Sequence, residues 1–93
     1  MHNIEPELKE KIIRLKLEEG RTLQSLEDEF GVPHSTIGKW VRKYREKAQE
    51  NKEEAKKLAA MEELGKLRRE NEELKKENDF LKKAAAFFAK ESR

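Results

Sequence analysis

Apolar residues between positions 23 and 41 follow the spacing of two short helices separated by a turn. Two sets recur at helical intervals around Gly31: Leu23, Leu26 and Phe30 before it, and Val32, Ile37, Trp40 and Val41 after it. Glycine can end a helix in a left-handed conformation without steric cost. The pattern predicts one helix from Thr22 to Phe30 and a second from His34, crossing steeply as in a helix-turn-helix.

A further helix is predicted before this motif, over residues 6–19. Pro6 suits its first turn and Gly20 its end. Its expected buried stripe consists of Leu8, Ile12 and Leu15. Thr22 is placed to cap the next helix, and Trp40 and Tyr44 supply aromatic area for a small core. The first 45 residues are therefore expected to form a three-helix unit.

The helix predicted from His34 carries local positive charge, although the net charge of the chain is only +2. Residues 31–47 hold five basic residues against one acid, whereas the preceding helix holds three acids. In a helix-turn-helix the second helix enters the major groove of double-stranded DNA. The candidate DNA contacts are His34, Ser35, Thr36, Lys39, Arg42 and Lys43, of which Thr36 and Lys43 are expected nearer the phosphates. The alternative is an ordinary solvated surface.

Three positions depart from what is common in such motifs. Glu27 lies where a small residue usually faces the second helix, so we expect a wider crossing or an outward-turned side chain. Pro33 replaces the usual hydroxyl N-cap. Gly38 weakens the second helix by about 1 kcal/mol relative to alanine, and close approach to DNA is one reason to keep it.

Residues 45–57 contain neither glycine nor proline, and no apolar residue larger than alanine occurs between Tyr44 and Leu58. Such a segment favours helix but has no apolar face to bury. We expect residues 46–57 to be a charged, solvated helical spacer that continues the preceding helix. A disordered linker is the alternative.

Leucine recurs every seven residues in the last third of the chain. Leu67, Leu74, Leu81 and Phe88 fill heptad position d, and Leu64, Asn71, Asn78 and Ala85 fill position a. Glutamates at g face basic residues at e across a parallel dimer, and paired asparagines at a favour a dimer in register. Residues 58–93 are thus predicted to form a parallel homodimeric coiled coil, starting near Gly65. The expected dimerisation residues are Leu64, Leu67, Asn71, Leu74, Asn78, Leu81 and Phe88. A single helix folded back on the first domain is the alternative.

The composition limits the function classes that are possible. Charged residues make up 45% of the 93 residues and apolar residues 34%, which is too little to bury a large core or a catalytic domain. Cysteine is absent, and His2 and His34 lack metal-ligand spacing. We therefore expect an all-α, non-enzymatic protein without cofactor or metal. The longest apolar run, residues 84–89, is too short to cross a membrane, so no membrane partner is expected.

The order of these elements resembles OrfA, the upstream-frame protein of two-frame bacterial insertion-sequence transposases. EPELKEKIIRLKLEEGRTLQSLEDEFGVPHSTIGKWVRKYRE resembles the N-terminal domain of that family, and ENEELKKENDFLKKAAAFFAKE resembles its zipper and the segment after it. The second part is the more specific, because LKKAAAFFAKE directly after a leucine zipper is typical of this family.

The resemblance implies a role that the residues alone do not show. Proteins of the OrfA type bind the terminal inverted repeats of their element, dimerise through the zipper, and associate with a longer frameshifted product that carries a DDE-type catalytic domain. The resemblance also implies that the protein is located in the bacterial cytoplasm, in association with the nucleoid. Two other functions stay open at this point: a stand-alone dimeric helix-turn-helix transcriptional repressor, and a coiled-coil adaptor that binds protein.

Overall fold

The computed structural model describes residues 5–91, which form four α-helices and no strand. The helices are α1 (Pro6–Glu18), α2 (Leu23–Phe30), α3 (His34–Ala48) and α4 (Lys52–Glu91). The predicted all-α architecture, a helix-turn-helix unit followed by a long C-terminal helix, is confirmed. Residues 1–4 and 92–93, the ends of the first and last predicted segments, lie outside the described residues.

Local signals set the boundaries of α2 and its turn as expected. The Thr22 hydroxyl oxygen accepts a hydrogen bond from the Ser25 backbone N–H at 3.1 Å, which caps the first turn of α2. Gly31 adopts a left-handed conformation with φ of 73°, and its N–H donates to the Glu27 carbonyl at 2.8 Å. These contacts confirm the predicted cap and turn.

The buried side of α1 is broader than the stripe predicted from sequence. Ile12 is fully buried as expected, but Leu8 and Leu15 are only partly buried. Ile13 and Leu17, which were not predicted, are buried at 6% and 3% exposure. The reason is a second neighbour, because α4 packs along α1 on the side of these two residues.

The prediction that the helix beginning at His34 runs through residues 46–57 is wrong. α3 ends at Ala48, and residues 49–51 turn the chain back before α4 starts. Gln49 keeps a right-handed conformation in this turn, so no glycine is needed. The Asn51 side-chain oxygen then caps α4 by accepting the Glu53 N–H at 2.8 Å. The segment is not fully solvated either, because Ala48 is buried at its start.

The long helix α4 has two opposite faces in its first half. Leu58, at 2% exposure, and Met61 pack into the core formed with α1 and α3. Gly65 crosses the end of α1 so closely that a methyl group there would overlap the Leu17 carbonyl oxygen. Leu67 lies nine residues after Leu58, which at about 100° per residue places it on the opposite side of the helix. The first turns of α4 therefore fold back on the head while their other face stays open.

Candidate nucleic-acid interface

α3 is held by its buried face, which leaves the opposite face open to solvent. Ile37 and Val41 are buried at 0% and 3% exposure in the core. Ser35, Lys39 and Arg42 are exposed, and helical spacing places all three opposite Ile37. We call Ser35, Lys39 and Arg42 the exposed ridge of α3.

The other three predicted DNA contacts lie beside this ridge. Lys43 is exposed and Thr36 is half-buried, and their seven-residue spacing places both on the same flank of α3. His34 is exposed at the N-terminal end of the helix, on the side of α2. His34 thus lies at the N-terminal end of α3, and the other five residues lie on the side away from Ile37. The contact of all six with DNA stays a prediction.

Glu27 caps α3 across the turn. Its carboxylate oxygen Oε1 accepts the His34 backbone N–H at 2.7 Å and lies 2.9 Å from Nδ1 of the His34 ring. Pro33 makes no side-chain cap, so this carboxylate takes the place of the usual hydroxyl. Of the two alternatives expected for Glu27, the outward-turned side chain is wrong: it bridges α2 to α3 and places negative charge at the positive end of the α3 dipole.

These hydrogen bonds change the acidity of Glu27. The bond from the His34 backbone N–H lowers the pKa of this carboxyl below its ordinary value, and the side-chain bonds from His34 and Gln24 act in the same direction. Glu27 is consequently ionised at neutral pH. The ionised carboxylate orients the His34 ring toward α2 at the point where α3 would enter a groove.

Gly38 faces α2 and not the exposed ridge. It is half-buried, and a Cβ atom placed on it would lie 3.7 Å from Leu23 Cδ1, an ordinary van der Waals distance. A side chain at this position would therefore point between the two helices of the motif. Close approach to DNA is not what the surroundings of Gly38 require.

Arg45 was not among the predicted contacts, although it continues the row of basic residues formed by Lys39 and Arg42. It follows Arg42 by three residues, as Arg42 follows Lys39, and it is exposed. Its guanidinium pairs with the Glu62 carboxylate of α4 at 3.2 Å. The i, i+3 spacing of the basic residues in the sequence could have indicated Arg45 as a contact. The spacing does not predict that α4 lies beside Arg45, because that depends on tertiary packing.

The predicted dimerisation residues all lie on the exposed surface of α4. Exposure rises along the helix from 41% for Leu64 and 52% for Leu67 to 62% for Leu74, and Asn71 and Asn78 are also exposed. Leu81 and Phe88 continue the same side at 56% and 66% exposure. Their pairing with a second chain stays a prediction. Phe80 and Phe87, which are equally exposed, fall at heptad position c, outside the predicted seam.

Two kinds of site are absent from residues 5–91, a metal site and a membrane-spanning helix. No group of three or more acidic or histidine side chains in this part of the chain is arranged to hold a metal ion. None of the four helices combines the length and the apolar character needed to cross a membrane.

Comparison with protein families settles the class of the molecule. A family model described as "Transposase" matches residues 5–79, which include α1, α2, α3 and most of α4. The chain belongs to this transposase family. The matched family is a helix-turn-helix DNA-binding domain and not a catalytic one, so this transposase chain has a DNA-binding role in transposition. No curated protein and no solved structure matches the chain.

Proposed function

We propose that this chain is the DNA-binding, non-catalytic subunit of an OrfA-type insertion-sequence transposase, and that it binds the terminal inverted repeats of its element as a homodimer. The observation that carries the proposal is the exposed ridge of α3 in a member of the transposase family. Buried Ile37 and Val41 fix the opposite side of the same helix in the core, so the ridge faces solvent.

The ridge has the size and chemistry that a major groove requires. From Ser35 to Arg42 it extends about 10 Å along the helix axis, and a helix about 10–12 Å in diameter fits a groove about 12 Å wide. Neither Lys39 nor Arg42 forms an ion pair with another residue in the range 5–91, so both are free to meet base edges or phosphates. Arginine and lysine bind guanine O6 and N7 most often among specific contacts.

Dimerisation through α4 is compatible with this arrangement of the head. The seam with Leu67 and Leu74 lies on the side of α4 opposite Leu58, which packs into the head. A second copy can therefore pair along this side of α4 without displacing Leu58 from the core. The same seam would serve for association with a longer transposase product that shares this segment and supplies the DDE catalytic domain.

Selection of duplexes from a random-sequence DNA pool tests this function directly. We expect the wild-type chain to enrich one sequence motif, and that motif to occur in inverted orientation at both ends of the element that encodes the chain. Lys39→Ala and Arg42→Ala should each weaken binding to the selected duplex by about 1–3 kcal/mol if they remove a base contact.

Lys56→Ala is the matched control, because it removes the same charge from an exposed position of α4, away from the ridge. Its affinity should stay within about twofold of the wild type, as expected for an exposed charge far from the groove. Enrichment of a promoter sequence in place of the element ends would favour a transcriptional repressor. Equal affinity of all three variants would remove α3 from the DNA interface.

A further inference from the structure

Four basic side chains meet where α1, α3 and α4 join. A surface cavity of about 250 Å³ at this junction is lined by the side chains of Lys16, Arg45, Lys66, Arg69 and Glu62, together with Leu17, Gly20 and Gly65. Four cations against one carboxylate leave a formal charge of +3 around a small space. We call this group of four basic residues the basic junction.

The positive charge of the basic junction is only partly neutralised within the chain. Arg45 pairs with Glu62 at 3.2 Å, and Arg69 lies 3.6 Å from Glu73. Lys16 and Lys66 have no ion-pair partner among residues 5–91. Burial lowers the pKa of Lys16, and the nearby charges of Arg69 and Arg45 lower it further. An ammonium held in this way is stabilised when an anion enters the cavity.

A row of cations joins the basic junction to the exposed ridge of α3. Lys39, Arg42 and Arg45 follow one another at intervals of three residues. Each step advances about 4.5 Å along the helix and turns about 60° round it. The row thus starts on the side of α3 that would face the bases and ends beside α4, where the backbone strand along one edge of the groove would pass.

We propose that the basic junction binds a backbone phosphate of the DNA whose groove receives α3. This inference rests on the proposed function, and it assigns α4 a part in DNA binding besides dimerisation. The arginines supply planar donors that match a phosphate oxygen pair, and the lysines supply point charges. One phosphate would then fix the zipper helix and the head to the same DNA strand.

The salt dependence of DNA binding tests the proposal in the full-length chain. The double variant Lys66→Gln with Arg69→Gln removes two exposed charges of the junction, and Lys76→Gln with Lys83→Gln removes two exposed charges elsewhere on α4. Binding to a random-sequence duplex is followed over a salt series by fluorescence anisotropy. For the junction variant we expect the slope of log K against log [salt] to decrease in magnitude by about 0.9, which corresponds to about eightfold weaker binding at about 0.1 M salt.

The control variant should keep the wild-type slope. A junction variant with the same slope as the control would overturn the inference while leaving the proposed function intact. Failure of the wild-type chain to bind any duplex would instead contradict the proposed function itself. The two failures are therefore distinguishable in one series of measurements.

An NMR titration of Lys16 shows whether the basic junction binds a DNA phosphate or a free phosphate. We expect the pKa of Lys16 to rise when the random-sequence duplex is added, because a neighbouring phosphate favours the charged ammonium. Inorganic phosphate at the same phosphate concentration should leave it unchanged. An equal rise with inorganic phosphate alone would assign the junction to a free oxyanion, and no rise with either would remove phosphate from the site.

Discussion

Glu27 joins the two helices of the motif through a single carboxylate. It accepts the His34 backbone N–H at 2.7 Å and holds the His34 ring from the same oxygen. The sequence marked Glu27 as unusual for its position, but not as a cap, because its partner lies seven residues away across a turn. Residue spacing within a helix predicts contacts three or four positions apart, and not contacts of this kind.

Replacing Glu27 by glutamine should make the folding stability of the chain less dependent on pH in the acid range. The pKa of Glu27 is lower in the folded chain than its ordinary value of 4.5, so its stabilising effect is complete above that value. The effect is lost as pH falls through the lowered folded pKa. We expect Glu27→Gln to melt below the wild type at neutral pH, with a difference that narrows in acid.

Thermal unfolding between about pH 7 and about pH 3 measures this difference. Glu46→Gln is the matched control, since it removes the same charge from an exposed position of α3. Its melting temperature should follow the wild type across the range. A constant difference for Glu27→Gln at every pH would show that charge plays no part in the cap.

Two helical glycines should respond in opposite ways to the same substitution. At Gly38 the added methyl group meets Leu23 Cδ1 at 3.7 Å, so Gly38→Ala should stabilise the fold by up to about 1 kcal/mol through helix propensity. At Gly65 it meets the backbone of Leu17, which cannot move aside alone. Gly65→Ala should therefore destabilise by about 1–3 kcal/mol. Urea unfolding of both variants checks the pair, and destabilisation by Gly38→Ala would contradict the packing described for α3.

Among the secondary-structure elements, the sequence predicts those helix boundaries that are set by residues within the same turn. Pro6, Thr22 and Gly31 set the ends of α1 and α2 within their own turns, and these boundaries were predicted correctly. The return of α4 could not be found in the same way, because it depends on which distant surfaces pack together. Asn51, followed by acids in the next turn, was the one local signal of a new helix.

In the candidate site, too, the sequence predicts what a single helix determines and does not predict what depends on the packing of distant helices. The exposed ridge follows from the 3.6-residue period of α3, because Ile37 and Val41 fix which side is buried. The basic junction does not follow from any single helix. Lys16 and Arg69 lie far apart in the chain and share a cavity only because α4 folds back across α1.

Replacement of Asn71 and Asn78 by isoleucine tests α4 as a dimerisation element. If both asparagines lie in a seam between two chains, each isoleucine should add about 1.5–3 kcal/mol of apolar burial and raise the melting temperature. The double variant should also form trimers or higher species, because the polar pairs that specify a dimer are lost.

Analytical ultracentrifugation of the full chain gives the oligomeric state. The control places isoleucine at Lys76 and Lys83, which fall at heptad position f and outside the seam. This control should keep the wild-type mass and gain no comparable stability. A strictly dimeric Asn variant with an unchanged melting temperature would contradict the assignment of position a.

At the scale of the whole molecule, a compact head sits at one end of a long helix. The chain measures 63 × 34 × 18 Å, and α4 with its 40 residues accounts for most of the longest dimension. In the proposed complex each head contacts DNA only through α3 and the basic junction, so one head alone should bind weakly. If two copies pair along α4 as proposed, the second contact becomes effectively intramolecular, which raises the overall affinity without new contacts.

We propose that the seam on α4 turns two weak heads into one DNA-binding unit. Two variants that remove exposed large apolar side chains of α4, one within the seam and one outside it, test this directly. Leu74→Ala with Leu81→Ala alters the seam, and Phe80→Ala alters position c. Phe87 is kept in the control because its ring packs edge to face against Phe88 of the seam. Sedimentation and affinity for a duplex with two selected half-sites are measured on the same samples.

The Leu74 and Leu81 variant should sediment as a monomer at micromolar concentration and bind the two-site duplex no more tightly than a one-site duplex. The Phe80 variant should stay dimeric and keep the higher two-site affinity. A dimeric Leu variant with wild-type affinity for the two-site duplex would contradict the account.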